Sequence, residues 1–271
     1  MNNCVIVIPI YKEKPEKSEQ ASFKQVITIL KKHPITIITY KELDLTTYKE
    51  IASLNNKLYN TEYFDKAYFS SINGYNQLCL HKEFYKRFLN YKFMLIYQLD
   101  AWVFKDELDY WCNKGYDYIG APWFEYFGRY ENGNKLWEVG NGGFSLRNIQ
   151  YFYNLLNYKW PLSHSIIIRK GIYTFIKSIL NSLGYHNTIQ WHIQQNKHLN
   201  EDFLLSCHLK NYTCKRKLLP QKPNVNEAAA FAFEQSPAYL FKLCKNKLPF
   251  GCHAYKRYEY NSFWYEYIKI N

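Results

Sequence analysis

"CVIVIPI", residues 4–10, is a run of seven apolar residues, and reading it as a buried strand decides the fold. A polar loop around Pro15 follows. Phe23, Val26, Ile27 and Leu30 then recur at i, i+3, i+4 and i+7, the spacing of one helix face, and Pro34 ends that helix. "ITIIT", residues 35–39, reads as a second strand. Strand, helix and strand in so short a stretch form a βαβ unit, which calls for a parallel sheet covered by helices. No GxGxxG follows the first strand, so the dinucleotide fingerprint is absent.

The same run bears on location. Seven apolar residues with no basic residue before them are too few for a secretory leader with its cleavage site, and far too few to cross a bilayer. No other stretch reaches that length without charges or turn residues. Seven cysteines, at 4, 79, 112, 207, 214, 244 and 252, are scattered without a CxxC, which points to reduced thiols. A cytoplasmic protein is expected, soluble or touching a membrane only at its surface.

With 271 residues, 47% apolar and 21% charged, the chain has a globular composition. Its net charge of +12 favours an anionic partner: nucleic acid, anionic lipid or a phosphorylated small molecule. Without an RGG tract, a basic arm or zinc-finger spacing, nucleic acid is disfavoured. The 27 tyrosines suit a sugar-binding or membrane-interface protein, but equally a biased genome.

Further along, residues 72–91 read as helical and 93–99 as a strand. Residues 105–111 begin a helix with Asp106 as cap. Residues 116–123 read as a short strand running into a turn, 124–137 as a loop, and 139–148 as a Gly-rich turn entering a strand. Residues 149–198 are mainly helical in character, and 200–209 form a helix with Asn200 as N-cap. The tail, 246–271, is aromatic, basic and irregular, fit either to rest on an anionic membrane or to pack back on the protein. One compact domain is the simplest organisation.

Four places carry candidate chemistry. In "YQLDAWVF", residues 97–104, Asp100 is a carboxylate at the C-terminal end of a central strand, where α/β sheets bind ligands. It faces a cation or ligand hydroxyl, or it caps the next turn or pairs with a lysine; the stretch alone does not choose. Glu201 and Asp202 are the only acids among the 88 residues from Val139 to Asn226, which hold 11 Lys and Arg. A helix start attracts acids through its dipole, but the isolation of this pair points to a general base kept ionised by the dipole and nearby cations. In "GNGGFSLR", Gly142 and Gly143 permit close backbone approach to a ligand, although an ordinary Asn-Gly turn explains them as well. In "LPFGCHAY", residues 248–255, His253 has only Cys252 beside it, which is not zinc spacing.

In this order, "IYQLDAWVF", "YDYIGAPW", "VGNGGFSLRN", "NEDFLLS" and "LPFGCHAY" resemble the motifs of a family first catalogued as a domain of unknown function, a branch of the GT-A-fold glycosyltransferases. The resemblance spans roughly residues 70–255. It implies an α/β fold: a GT-A-like single domain over 1–271 with a mainly parallel, Rossmann-like central sheet flanked by helices. Residues 1–104 would form a nucleotide-binding half and 105–271 an acceptor and catalytic half. It implies transfer of a sugar from a nucleoside-diphosphate sugar, a UDP-sugar by preference, to a glycan or glycolipid acceptor of a cell-surface polysaccharide or lipooligosaccharide. Mn²⁺ or Mg²⁺ would be the cofactor, with Asp100 and His253 as ligands. The usual Asp-x-Asp is here Gln98-Leu99-Asp100, so Gln98 brings no charge and would bond ribose or a metal-bound water.

On the same resemblance Asn141, Gly142 and Gly143 line the donor sugar and Asp202 is the base of an inverting displacement. Glu201 contacts substrate hydroxyls. Pro9, Ile10 and Tyr11 lie over the nucleobase. Trp123, Tyr126 and Trp137 are acceptor candidates. A retaining transferase and a non-catalytic sugar- or nucleotide-binding module are the alternatives.

Overall fold

In the computed structural model, which describes residues 2–125, 135–162, 187–213 and 216–270 with positions 176 and 179, the N-terminal strand β1 (Asn2–Pro9) leads into helix α1 (Lys17–Ile29) and strand β2 (Ile35–Thr39). β1 and β2 pair in parallel, with Ile6 opposite Ile35 and Ile8 opposite Ile37. Helix α2 (Thr46–Leu54) and edge strand β3 (Asn60–Tyr63) extend the sheet on one side. Strand β4 (Tyr91–Tyr97) joins it on the other, parallel to β1, with Val5 opposite Met94.

The expected single helix over 72–91 is two, α3 (Ile72–Cys79) and α4 (Lys82–Lys86). His81 interrupts them with extended backbone, and its ring Nδ1 accepts the Glu83 N–H at 3.4 Å.

After β4 come β5 (Trp102–Val103), α5 (Leu108–Asn113), β6 (Tyr118–Ile119), the ribbon of β7 (Pro122–Phe124) with β8 (Leu136–Val139), β9 (Phe144–Asn148) and α6 (Ile149–Leu156). The main sheet runs β3-β2-β1-β4-β9-β6. β9 runs antiparallel to both β4 and β6, and the remaining pairings are parallel. The sheet is therefore the expected mainly parallel one, with helices packed on it.

Both faces of the sheet are covered, as a parallel sheet requires. Ile6 and Ile8 point into one core with Phe23, Val26 and Ile27 of α1, while Val5 and Val7 point into the other with Phe84, Met94 and Ile96. A smaller three-stranded sheet joins β10 (Ala232–Phe233), β11 (Gly251–Cys252) and β5. A third apolar cluster lies on it. That cluster holds Trp264 and Ile268, both with no solvent exposure, so the tail packs back on the protein. Among the described residues no helix is long and apolar enough to cross a membrane.

Two expected caps differ. Asp106 takes Lys32 and His33 as partners, at 3.4 and 3.1 Å, and reaches the Leu108 N–H only at 3.4 Å. The Asn200 side chain caps nothing; its Oδ1 accepts from Asn76 Nδ2 at 3.1 Å. The expected helix over 200–209 is a single α-turn, Glu201–Phe203, followed by a wide π-type turn, Leu204–His208.

Candidate active site

Strand order reverses between β1 and β4, and in open α/β sheets the crevice beyond the carboxyl ends at such a point is where ligands bind. A cavity of about 890 Å³ lies there, lined by Pro9 at the end of β1, by Tyr11 and Lys12 just after it, and by Gln98 and Asp100 after β4. Opposite them it is walled by Asn141–Gly143, Glu201–Asp202, Glu234–Gln235 and His253.

Asp100 stands in a turn closed by the Ala101 N–H donating to the Gln98 carbonyl at 2.9 Å. Its side chain is half exposed and its Oδ1 lies 3.2 Å from His253 Nε2. The small sheet makes that meeting. Phe233 pairs with Cys252 and Cys252 with Trp102, so the residues just beyond these pairs, Glu234, His253 and Asp100, gather at one edge. Glu234 Oε1 lies 3.1 Å from His253 Nδ1, and Gln98 Oε1 lies 3.2 Å from Nε2. Burial alone would lower the His253 pKa, but the Asp100 charge and hydrogen bonds to Asp100 and Glu234 lift it to about 10. Burial pushes Asp100 up, and the charge and hydrogen bond of His253 more than reverse that, leaving it below the usual carboxylate value.

Two glycines separate this cluster from the acid pair. A Cβ at Gly143 would run into the His253 ring, and one at Gly142 into the Glu201 carboxylate, so larger residues are barred at both. The Gly142 N–H donates to Asp202 Oδ2 at 2.8 Å, and the Phe203 N–H to Oδ1 at 2.7 Å. Glu201 does not face the cavity as a free carboxylate. It is 2% exposed and paired at 2.7 Å with Arg147, which has no exposure at all. Arg147 also donates to Tyr85 Oη at 3.0 Å, Ser145 Oγ at 3.0 Å and the Gly142 carbonyl at 3.3 Å. The expectation that Asp202 is held firmly ionised is corrected. Burial, helped by the negative charge of Glu201, raises its pKa to about 7, against the pull of the Phe203 N–H and Arg147.

The family model described as "Protein of unknown function (DUF5672)" matches residues 58–253, most of the chain. The chain belongs to this family. No curated protein sequence matches this DUF5672 member. Among solved structures, core-mannan synthase A from Aspergillus fumigatus, in a Mn/GDP form, is similar at 10% identity over 69% of this chain and 66% of that one, with a TM-score of 0.41. The galactosyltransferase LgtC, in complex with donor and acceptor sugar analogs, is similar at 14% identity over 92% and 86%, with a TM-score of 0.48. WbbM, a bifunctional glycosyltransferase in an apo structure, is similar at 11% identity over 93% and 45%, with a TM-score of 0.39.

Whether the DUF5672 residues suit a divalent ion turns on Asp100 and His253. Two neighbouring ligands of an octahedral ion, each at about 2.1 Å, stand roughly 3 Å apart. Asp100 Oδ1 and His253 Nε2 are 3.2 Å apart, with the Gln98 oxygen as a neutral third donor. Among the described residues no group of three His, Cys, Asp or Glu forms a cage. The donor set therefore suits a hard cation only where it takes its remaining ligands from phosphate and water, not an all-protein site, and only where His253 gives up the proton it holds against Asp100.

Pro9, Tyr11, Gln98, Asp100, Asn141, Gly142, Gly143, Trp123, Glu201, Asp202 and His253 all line the cavity. Trp137 does not; it stands on β8 with 45% of its surface exposed. Trp123 does, but it is only 6% exposed, its ring lying against Gly140 and Phe203. Tyr126 lies outside the described residues. Sequence reading gave no role to Arg147, Glu234 or Gln235. For Arg147 a signal exists: it alternates with Phe144 and Leu146 inside a strand whose first four residues are buried, where only a paired cation is tolerated. Glu234 and Gln235 acquire their place through two-residue strands that leave no periodic pattern.

Proposed function

We propose that this protein is a glycosyltransferase that moves a sugar from a nucleoside-diphosphate sugar to a hydroxyl of a glycan acceptor, with inversion at the anomeric carbon. One observation carries the reading. The Asp100–His253 cluster and Asp202 flank the Gly142–Gly143 pair inside one cavity at the reversal point of the sheet.

Pro9 and Tyr11 bound the end suited to the base, where the half-exposed Tyr11 ring, with Lys12 Nζ 5.5 Å from its centroid, offers a stacking surface. The diphosphate lies beside Asp100 and His253, where Lys12 and Arg257 add positive charge. When bound by Asp100 and His253, a divalent ion supplies charge neutralisation for the departing diphosphate. Asp202, with a pKa near 7, accepts the acceptor hydroxyl proton at neutral pH. The hydroxyl oxygen bonds to the anomeric carbon from the face opposite the phosphate. The carbon–oxygen bond to the nucleoside diphosphate breaks, and its electron pair leaves with the diphosphate. The Gly142 N–H aims the carboxylate, and Arg147 fixes Gly142 through its carbonyl.

Calorimetry with UDP, GDP and their sugar conjugates, with and without Mn²⁺, tests the reading, together with assay of nucleoside diphosphate release. Binding strengthened by Mn²⁺ and slow release that Asp202→Asn abolishes are expected. Binding of none of these ligands, with or without Mn²⁺, overturns the reading for uridine and guanosine donors.

A further inference from the structure

Glu234 lines the cavity, yet the steps above give it no part. Its side chain is only 14% exposed, and a carboxylate so enclosed needs a partner. Among the described residues its ion-pair partner is His253 alone, with Oε1 3.1 Å from Nδ1.

The contact is not needed to join the strands. Phe233 of β10 already pairs with Cys252 of β11, and the His253 N–H donates to the Phe233 carbonyl at 3.0 Å. That register sets positions 234 and 253 side by side whatever their side chains. Two packed apolar residues would hold the strands as well, since replacing a buried ion pair in that way is often neutral or stabilising. What a carboxylate adds is control over which nitrogen of His253 carries hydrogen.

The two nitrogens face different groups. Nδ1 meets Glu234, whereas Nε2 stands 3.2 Å from both Asp100 Oδ1 and Gln98 Oε1. An ionised carboxylate only accepts, so Glu234 keeps a hydrogen on Nδ1. The nitrogen left to offer a lone pair is then Nε2, the one beside Asp100 and Gln98. Histidines that ligate metals are commonly held in this way: the other ring N–H donates to a carboxylate or carbonyl, which fixes the tautomer and the ring orientation. Glutamine at 234 would undo the choice, because its NH₂ can donate to Nδ1 and leave the hydrogen on Nε2.

Resting on the sugar-nucleotide reading of this cavity, we infer that Glu234 is a positioning residue: it holds the His253 ring with Nε2 turned to Asp100 and Gln98, so that these donors act together on a cation beside the diphosphate. The test is titration of the full chain with Mn²⁺, read by the electron paramagnetic resonance of free Mn²⁺, at saturating UDP or GDP, whichever the wild-type protein binds. Glu234→Gln is expected to weaken Mn²⁺ binding by about tenfold to a hundredfold, the usual cost of losing such a partner. Glu234→Met, which offers Nδ1 no acceptor, should fall in the same range. Nucleoside diphosphate affinity without Mn²⁺, and melting temperature, should stay close to wild type in both. In a His253→Ala background Glu234→Gln should cost nothing further, because its effect passes through the ring.

Wild-type Mn²⁺ affinity in both variants overturns the inference. So does an equal further loss in the His253→Ala background, which would place the action of Glu234 elsewhere. Loss of metal-free nucleotide binding along with Mn²⁺ binding also overturns it, since Glu234 then supports the fold. Wild-type protein that binds nucleotide with no effect of Mn²⁺ overturns this inference and leaves the sugar-nucleotide reading standing. Wild-type protein that binds no nucleotide removes both.

Discussion

Arg147 and Glu201 form a 2.7 Å ion pair in which the guanidinium has no solvent exposure and the carboxylate side chain has 3%. Removing one member of a buried pair strands the other charge, which typically destabilises by about 3–5 kcal/mol. Arg147→Met is expected to lose stability on that scale in urea unfolding. The double variant Arg147→Met, Glu201→Gln should recover part of it, because no buried charge remains. A single variant within about 1 kcal/mol of wild type would mean that the pair is not desolvated as described.

Asp202 sets the pH response. Its folded pKa is about 7 against an ordinary 3.8, so the folded protein keeps a proton that the unfolded chain gives up. The stability it contributes is fully present below about pH 3.8 and is lost as pH rises through about 7. Melting temperature should therefore fall between pH 5 and 8 more steeply in wild type than in Asp202→Asn. If Asp202 is the base, kcat/KM rises about tenfold per pH unit below 7 and levels above it. Asp202→Asn should lower turnover by ~10²–10⁴-fold with donor binding intact. A rate already level from pH 5 upward would remove Asp202 from that role.

What was legible in the sequence follows from how local each signal is. β1, α1 and β2 could be read because each buries residues in its own period, two-faced in the strands and one-faced in the helix. The break between α3 and α4 could not, since Leu80 and His81 are not turn residues. Glu201 and Asp202 stand out as isolated acids, but their different fates depend on Arg147, 54 positions earlier on β9. That partner turns Glu201 into a support and leaves Asp202 to face the cavity. Likewise His253 was legible as a candidate, but not its partner Glu234, which reaches it only through the pairing of β10 with β11.

Gly143 is tested by what it leaves room for. Its φ is not positive, so alanine is allowed by the backbone and any effect comes from the new methyl, which meets the His253 ring. Gly143→Ala is expected to weaken Mn²⁺-dependent donor binding at least tenfold, as Asp100→Ala should. Combined with His253→Ala, Gly143→Ala should add little, since the clashing ring is gone; contacting residues couple in this way. Full additivity in the double-mutant cycle would show that Gly143 acts on something other than His253.

Trp264 decides what the basic, aromatic tail does. Its ring has no exposure and stacks on Phe104 at 5.6 Å with an interplanar angle of 17°. Ile268, one turn on, is equally buried beside it in the third apolar cluster. A side chain so enclosed is committed to the fold, and a membrane gains it only by unpacking that cluster. Truncating a buried aromatic ring to alanine typically costs about 3–5 kcal/mol. Trp264→Ala is therefore expected to destabilise the protein on that scale in urea unfolding, whereas Tyr265→Ala, at a neighbouring position that is 61% exposed, should change stability by less than about 0.5 kcal/mol. Vesicles rich in anionic lipid should leave the melting temperature of the wild-type protein unchanged. Near-wild-type stability in Trp264→Ala, combined with vesicle binding that this substitution abolishes, would instead make the tail a membrane contact.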